Sequence, residues 1–181
     1  MGTIYTIGHS SHSLEKLVSL LQAVGVTTVV DVRSAPYSKY CPYFNRESLA
    51  PALVQAGLDY AYAGKQLGGR PLDPDCYKGG KLPVEGTDYL HEVDYPAVMQ
   101  RAWFQAGIAR LLEIAATQEV AVLCSEEDPA LCHRHHLIAR YLLAANPKVA
   151  VRHVRGDGSV FPAHTLHASV DAPAVVQQTL F

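Results

Sequence analysis

Residues 119–124 read EVAVLC, an apolar run of strand length with a helical pattern on either side. Upstream, Val98, Trp103, Ile108, Leu111, Leu112 and Ala115 recur at helical spacing and predict one long helix over 95–117. Downstream, Leu137, Ile138, Tyr141 and Leu142 fall on one face of a helix predicted over 132–145. A strand held between two helices is the unit of a parallel sheet, because parallel neighbours need a crossover to join them.

The same alternation runs outward in both directions. Residues 3–7 (TIYTI) are β-branched and aromatic and stop at Gly8, which predicts a first strand. Ser13 is a good N-cap for a helix carrying Leu14, Leu17, Val18, Leu20 and Leu21, closed by Gly25. Residues 27–32 (TTVVDV) predict a second strand and 58–63 (LDYAYA) a third. Between them a helix is expected over 46–56, with Pro51 either dividing it or sitting in its first turn. Residues 148–154 (KVAVRHV) predict a fifth strand; a turn follows at 156–158, then a short strand or docked tail. The segment 64–94 is rich in Gly, Pro and Asp and reads as irregular, and a connection that long is usually functional or mobile. The expectation is one α/β domain over 1–181, a three-layer sandwich of about five mostly parallel strands with helices on both faces.

Composition agrees. About half of the 181 residues are apolar and under a fifth are charged, as in a globular chain. A net charge of -2 argues against a general electrostatic grip on nucleic acid, although a local basic patch stays open. No basic start followed by an apolar run and no long apolar stretch is present, so no membrane partner and a cytoplasmic location are expected. The four cysteines form no CxxC pair, which predicts reduced thiols rather than a disulfide framework.

In open parallel sheets, ligands sit beyond the carboxyl ends of the strands. Gly8, His9 and Ser10 follow the first strand here; Asp31, Arg33 and Ser38 end or follow the second. Gly68 and Gly69 follow the third, while Cys124, Glu126, Cys132, His133 and Arg134 end or follow the fourth. If the strands are parallel, all of these meet at one end of the molecule.

Each motif has a structural and a functional reading. Asp31 and Arg33 project to one face of a strand, so they form either a loop-fixing ion pair or an oriented arginine fork for a phosphate or carboxylate. His9 is a packed histidine or a general acid or base. Gly68-Gly69 is a turn or a close backbone approach. Cys124 is a nucleophile, or it joins Cys132 and His133, with or without His9 or Glu126, around a soft metal such as zinc, or both thiols are packing groups. Arg134 opposes the dipole of its own helix and so calls for a partner, either Glu126 or an anionic ligand. Tyr43 and Phe44, with Tyr37 and Tyr40, offer ring faces for a base or sugar, or else plug the sheet edge. His135 and His136 are expected mostly on the surface. Neither GxxxxGK[ST] nor GxGxxG occurs, and no cofactor is assigned.

The stretches TIGHSSHS, DVRSAPYSKY with Phe44-Asn45, QLGGRP and LCSEEDPALCHR resemble the uncharacterised family called domain of unknown function 488. The resemblance runs from Tyr5 to about Val154 and implies an α/β domain with a shared polar site, but no reaction. The expected function is an enzyme or binding protein for a small anionic, phosphate- or nucleotide-like ligand. In that reading Arg33 and Arg134 hold the anion, His9 or Glu126 moves protons and Cys124 is the nucleophile. Two alternatives stay open: a module reading single-stranded nucleic-acid ends or unstacked bases, and a Cys/His metal or redox site.

Overall fold

The apolar run ahead of Cys124 forms a strand buried along its whole length and paired in parallel on both sides. It lies inside a six-stranded sheet, seen in a computed structural model that describes residues 2–84 and 86–166. In chain order the elements are β1 (Thr3–Gly8), α1 (Leu14–Ala23), β2 (Thr28–Asp31), α2 (Arg46–Gln55) and β3 (Asp59–Tyr62). Then come α3 (Gly64–Leu67), α4 (Tyr89–Glu92), α5 (Tyr95–Met99), α6 (Ala102–Ala115) and β4 (Val120–Cys124). A π-helical segment, Arg134–Ala139, leads into α7 (Arg140–Ala145), and β5 (Ala150–Val154) and β6 (Val160–Pro162) complete the sheet.

The strand order is β3-β2-β4-β1-β5-β6, parallel throughout except for β6, which pairs antiparallel with β5. Register sets Gly8 opposite Cys124 and Asp31 opposite Leu123, so the polar strand ends lie level. From β2 the chain moves outward to β3, whereas from β4 it crosses β1 to reach β5. Neighbouring strands that send the chain in opposite directions open a crevice beyond their carboxyl ends.

Strand side chains alternate between two cores, which makes the sandwich three-layered. Ala121 and Leu123 pack with Val29, Leu17, Leu21, Leu49 and Leu53 on the α1/α2 side. Val120, Val122 and Cys124 pack with Val30, Phe104, Ile108, Leu137 and Leu142 on the α6/α7 side. Among the described residues no helix is long and apolar enough to cross a membrane.

Local structure departs from the sequence pattern in four places. The helix expected over 95–117 is broken: Asp94 caps α5, and the chain turns extended at Arg101, which reaches Asp73 at 3.1 Å. The helix over 132–145 opens as a π segment sealed on every side, so His135 and His136 are buried rather than superficial. They point to different neighbours, His135 to His153 at 3.0 Å and His136 to the Ala130 carbonyl at 2.6 Å. A helix enclosed by sheet and neighbouring helices has no solvent face on which to place a polar residue. The segment 64–94 carries α3, α4 and a turn of 3₁₀ helix, Pro74–Cys76. Finally, α2 runs through Pro51 undivided, whereas the short strand allowed after the 156–158 turn is present as β6; the chain from 167 onward lies outside the described residues.

Candidate functional site

A cavity of about 390 Å³ opens at the crevice beyond β2 and β4. Arg33, Ser34 and Tyr37 line it from the segment after β2, and Cys124, Ser125, Glu126, Cys132 and His133 from the segment after β4. Gly69, Arg70, Asp88, Tyr89 and Tyr95 close the remaining wall.

The wall after β4 concentrates the reactive groups. Both Cys124 and Cys132 donate S–H hydrogen bonds to one oxygen of Glu126, Oε2, at 3.0 and 3.1 Å. His133 Nδ1 stands 3.6 Å from the Cys124 sulfur and 3.9 Å from that of Cys132. The thiols are buried, while Glu126 is an exposed residue whose carboxylate end turns inward to meet them. Enclosure pushes the Glu126 pKa up, but the two S–H bonds outweigh it and hold the carboxyl below its ordinary range. Burial, and after it the neighbouring Cys124, push the Cys132 thiol well above its usual value. Burial pulls His133 down, contact with Cys132 and the charge on Glu126 pull it up, and the net direction is up. A carboxyl group thus serves two sulfurs beside a histidine ring, a set able to exchange protons or to ligate a soft metal ion.

Across the strand ends, on the α1/α2 side, a second network forms. Arg33 grips Asp31 through Nε–Oδ1 at 2.9 Å and Nη2–Oδ2 at 2.6 Å. Tyr60 donates to Asp31 Oδ2 at 2.8 Å, and Arg33 Nη1 donates to the Phe44 carbonyl at 2.9 Å. His9 Nδ1 lies 2.8 Å from the Ser10 carbonyl, which only accepts, so Nδ1 carries the proton and Nε2 accepts from Arg33 Nη1 at 3.2 Å. Burial, then the Arg33 charge, lowers the His9 pKa to about 4. With both ring nitrogens engaged and Phe44 packed 4.3 Å away, His9 lies outside the cavity and positions Arg33.

Close packing explains the glycines. A side chain on Gly8 would collide with the Glu126 backbone, and one on Gly68 with Ser34 and the Gly64 carbonyl. At Gly69 a Cβ would lie 2.6 to 2.9 Å from His133 atoms, so this glycine makes room for the imidazole. Arg134 is fully buried, and its guanidinium donates to the Glu126 carbonyl and, at 2.7 Å, to that of Glu127; it shapes the loop from behind rather than facing the cavity. Ser10, Ser38, Tyr43 and Phe44 also stand apart from the cavity: Ser38 Oγ accepts from Cys41 N, Tyr43 donates to the His12 carbonyl, and Phe44 is core.

Of the opposite wall, sequence reasoning reached only Gly69 and Arg70, in the QLGGRP stretch. Arg70 lies over the Tyr89 ring at 4.5 Å, and Tyr95 stacks on His136 with its phenol pKa raised by burial. Asp88 and Tyr89 come from a segment without periodicity, where Gly, Pro and Asp alone gave a signal, and Tyr95 opens a helix whose pattern marks core positions only.

The family model described as Domain of unknown function DUF488 matches residues 13–142. The chain belongs to this family. The DUF488 match spans α1 to α7 and contains Arg33, Gly69, Cys124, Glu126, Cys132 and His133, whereas His9 precedes it and His153 follows it. No curated protein and no solved structure matches the chain.

Proposed function

We propose that this DUF488 chain binds a small anionic, phosphate- or nucleotide-like molecule in the cavity beyond β2 and β4, with the Cys124–Glu126–Cys132–His133 wall facing it. The observation that carries this reading is Arg70. Its side chain is exposed at the cavity wall, has no carboxylate partner among the described residues and lies over the Tyr89 ring. An arginine fork presented beside ring faces suits a planar or phosphorylated ligand. Arg33 adds positive charge deeper in, although Asp31 already balances it.

Calorimetric titration with inorganic phosphate and a set of nucleoside monophosphates tests the reading. Wild type is expected to bind at least one of them, and Arg70→Ala to lose that binding with unchanged melting temperature. Absence of binding in wild type, or undiminished binding in Arg70→Ala, overturns it.

A nucleic-acid reading draws on Tyr37 and Tyr40, which are 66% and 95% exposed beside Lys39. Stacking side chains next to a cation suit an unstacked base. Single-strand binding that weakens steeply with salt would favour it over a small ligand; none at low salt removes it.

A further inference from the structure

Four ligand-type groups meet at one point of the β4 wall, and the hydrogen bonds there do not account for their arrangement. Two weakly donating thiols share a single carboxylate oxygen, neither forms a disulfide, and an imidazole nitrogen faces both sulfurs. One atom from each of Cys124, Cys132 and His133 lies within 4.8 Å of the other two. We infer that Cys124, Cys132 and His133 bind one soft divalent cation of the zinc type, with Glu126 Oε2 as the fourth ligand.

The geometry can be checked against the metal. Zinc–sulfur and zinc–nitrogen bonds of ordinary length, set tetrahedrally, place sulfur and nitrogen about 3.6 Å apart along each edge. The two sulfur–nitrogen distances are 3.6 and 3.9 Å. A tetrahedral sulfur–oxygen edge is about 3.5 Å, so Glu126 has only to draw back by about half an ångström when a cation replaces the bridging thiol protons. Thiolate and imidazole select zinc-like ions over magnesium or calcium.

The surroundings prepare the site. Cys124 ends a rigid central strand, and the peptide after Cys132 is tied back to its sulfur by Arg134 N at 3.4 Å. His133 is only 9% exposed, and the missing side chain of Gly69 lets its ring reach the sulfurs. The loop joining the ligands is clamped: Arg134 holds the Glu126 and Glu127 carbonyls, and Arg155 holds the Glu127 carboxylate at 2.6 and 2.9 Å. Three ligands are fixed by buried packing, while the fourth belongs to an exposed side chain at the cavity. Three fixed ligands with one replaceable position is the pattern of a reactive rather than a purely structural zinc site. The inference stands without the anion reading, because no ligand group is shared with Arg70.

The full chain is reduced, stripped with a chelator and titrated with Zn²⁺ alone and Co²⁺ alone. One metal per chain is expected, and the cobalt form should show thiolate-to-metal charge transfer with tetrahedral ligand-field bands. Zinc-edge X-ray absorption of wild type should show two sulfur neighbours at about 2.3 Å and nitrogen or oxygen neighbours at about 2.0 Å. Cys124→Ser and Cys132→Ser should each weaken uptake by more than about 100-fold, beyond the loss typical of an outer-shell change. Cys41→Ser and Cys76→Ser should leave uptake unchanged. Substoichiometric uptake, a sulfur-free zinc environment or an octahedral cobalt spectrum overturns the inference even where the serine variants fail to fold. Arg70→Ala should keep full metal occupancy, so loss of anion binding and loss of the metal are read separately.

Discussion

Arg33 and Asp31 hold each other through two parallel hydrogen bonds at the end of β2, with side chains 3% and 0% exposed. The pair therefore belongs to the buried framework of the site as well as to its inner wall. A planar guanidinium opposite a carboxylate is the strongest ion-pair geometry that side chains offer. Tyr60 and the Phe44 carbonyl satisfy further positions on the same pair.

Removing one partner leaves a buried charge without compensation. Arg33→Ala is expected to destabilise the protein by roughly 3–5 kcal/mol. Asp31→Ala should cost a similar amount, and the double change Asp31→Leu with Arg33→Met should recover part of the loss. Urea denaturation decides this. A loss below about 0.5 kcal/mol for Arg33→Ala, the size of an ordinary surface change, would take the pair out of the framework.

Gly69→Ala puts a methyl group where the His133 ring lies. The ring must move away from the two sulfurs, and overpacking of this kind costs about 1–3 kcal/mol. Gly79 is the matched control, since a Cβ there meets nothing closer than 4.0 Å and its φ is ordinary. Paired stability measurements should show a loss at Gly69→Ala and near neutrality at Gly79→Ala. Equal effects would mean that position 69 does not cradle the imidazole.

Much of this was readable because strand alternation and level strand ends follow from apolar patterning alone. Cys124, Glu126, His133, Arg33 and Gly69 reach one cavity because each ends or follows, within a few residues, a strand whose place the pattern fixes. His9, Asp31 and Arg134 also sit at strand or helix ends, yet they support the site from behind: short-range sequence gives position along the chain but not which side of the sheet end a side chain faces. Arg70 follows the third strand together with Gly68 and Gly69, but Asp88 and Tyr89 reach the cavity through tertiary placement of an irregular segment, and Tyr95 from the start of a helix whose apolar pattern marks only its core face. The π segment was equally hidden, because a shift from i−4 to i−5 hydrogen bonding leaves the apolar pattern nearly unchanged.

The His9 tautomer has a direct test. Nitrogen NMR of the imidazoles should show His9 protonated at Nδ1, bare at Nε2 and neutral near pH 7, with its pKa near 4. A bare Nδ1, or an ordinary histidine titration, would contradict the Ser10–His9–Arg33 chain. The Arg33→Ala variant removes the donor to Nε2 and one repulsive charge, so the His9 pKa should rise in any folded fraction.

Acid sensitivity should come in good part from the buried pair His153 and His135, with His9 and His136, whose pKa values burial also lowers, acting in the same direction. His153 is fully buried between Thr6 Oγ1 at 2.7 Å and His135 at 3.0 Å. The facing nitrogens of His153 and His135 share one proton, and a second would set two N–H groups head to head. Burial first, then the charge of His135, lowers His153 to about 3; burial first, then His136, lowers His135 to about 4. Both folded values lie below the ordinary 6.5, so between them the unfolded chain binds more protons than the folded one. Stability from this pair is therefore complete above about pH 6.5 and is lost progressively as pH falls toward the folded values, by an amount on the order of a few kcal/mol. Glu127 and Asp157, whose pKa values are also lowered, act in the same direction only below 4.5 and 3.8, so the upper part of the window belongs to histidine. Denaturation midpoints at a series of pH values from neutral to about 4.5 should fall steadily for wild type, and the slope should shrink in His153→Gln. A midpoint that stays level across that range, or a slope untouched by His153→Gln, would mean that the pair is not buried in its neutral form.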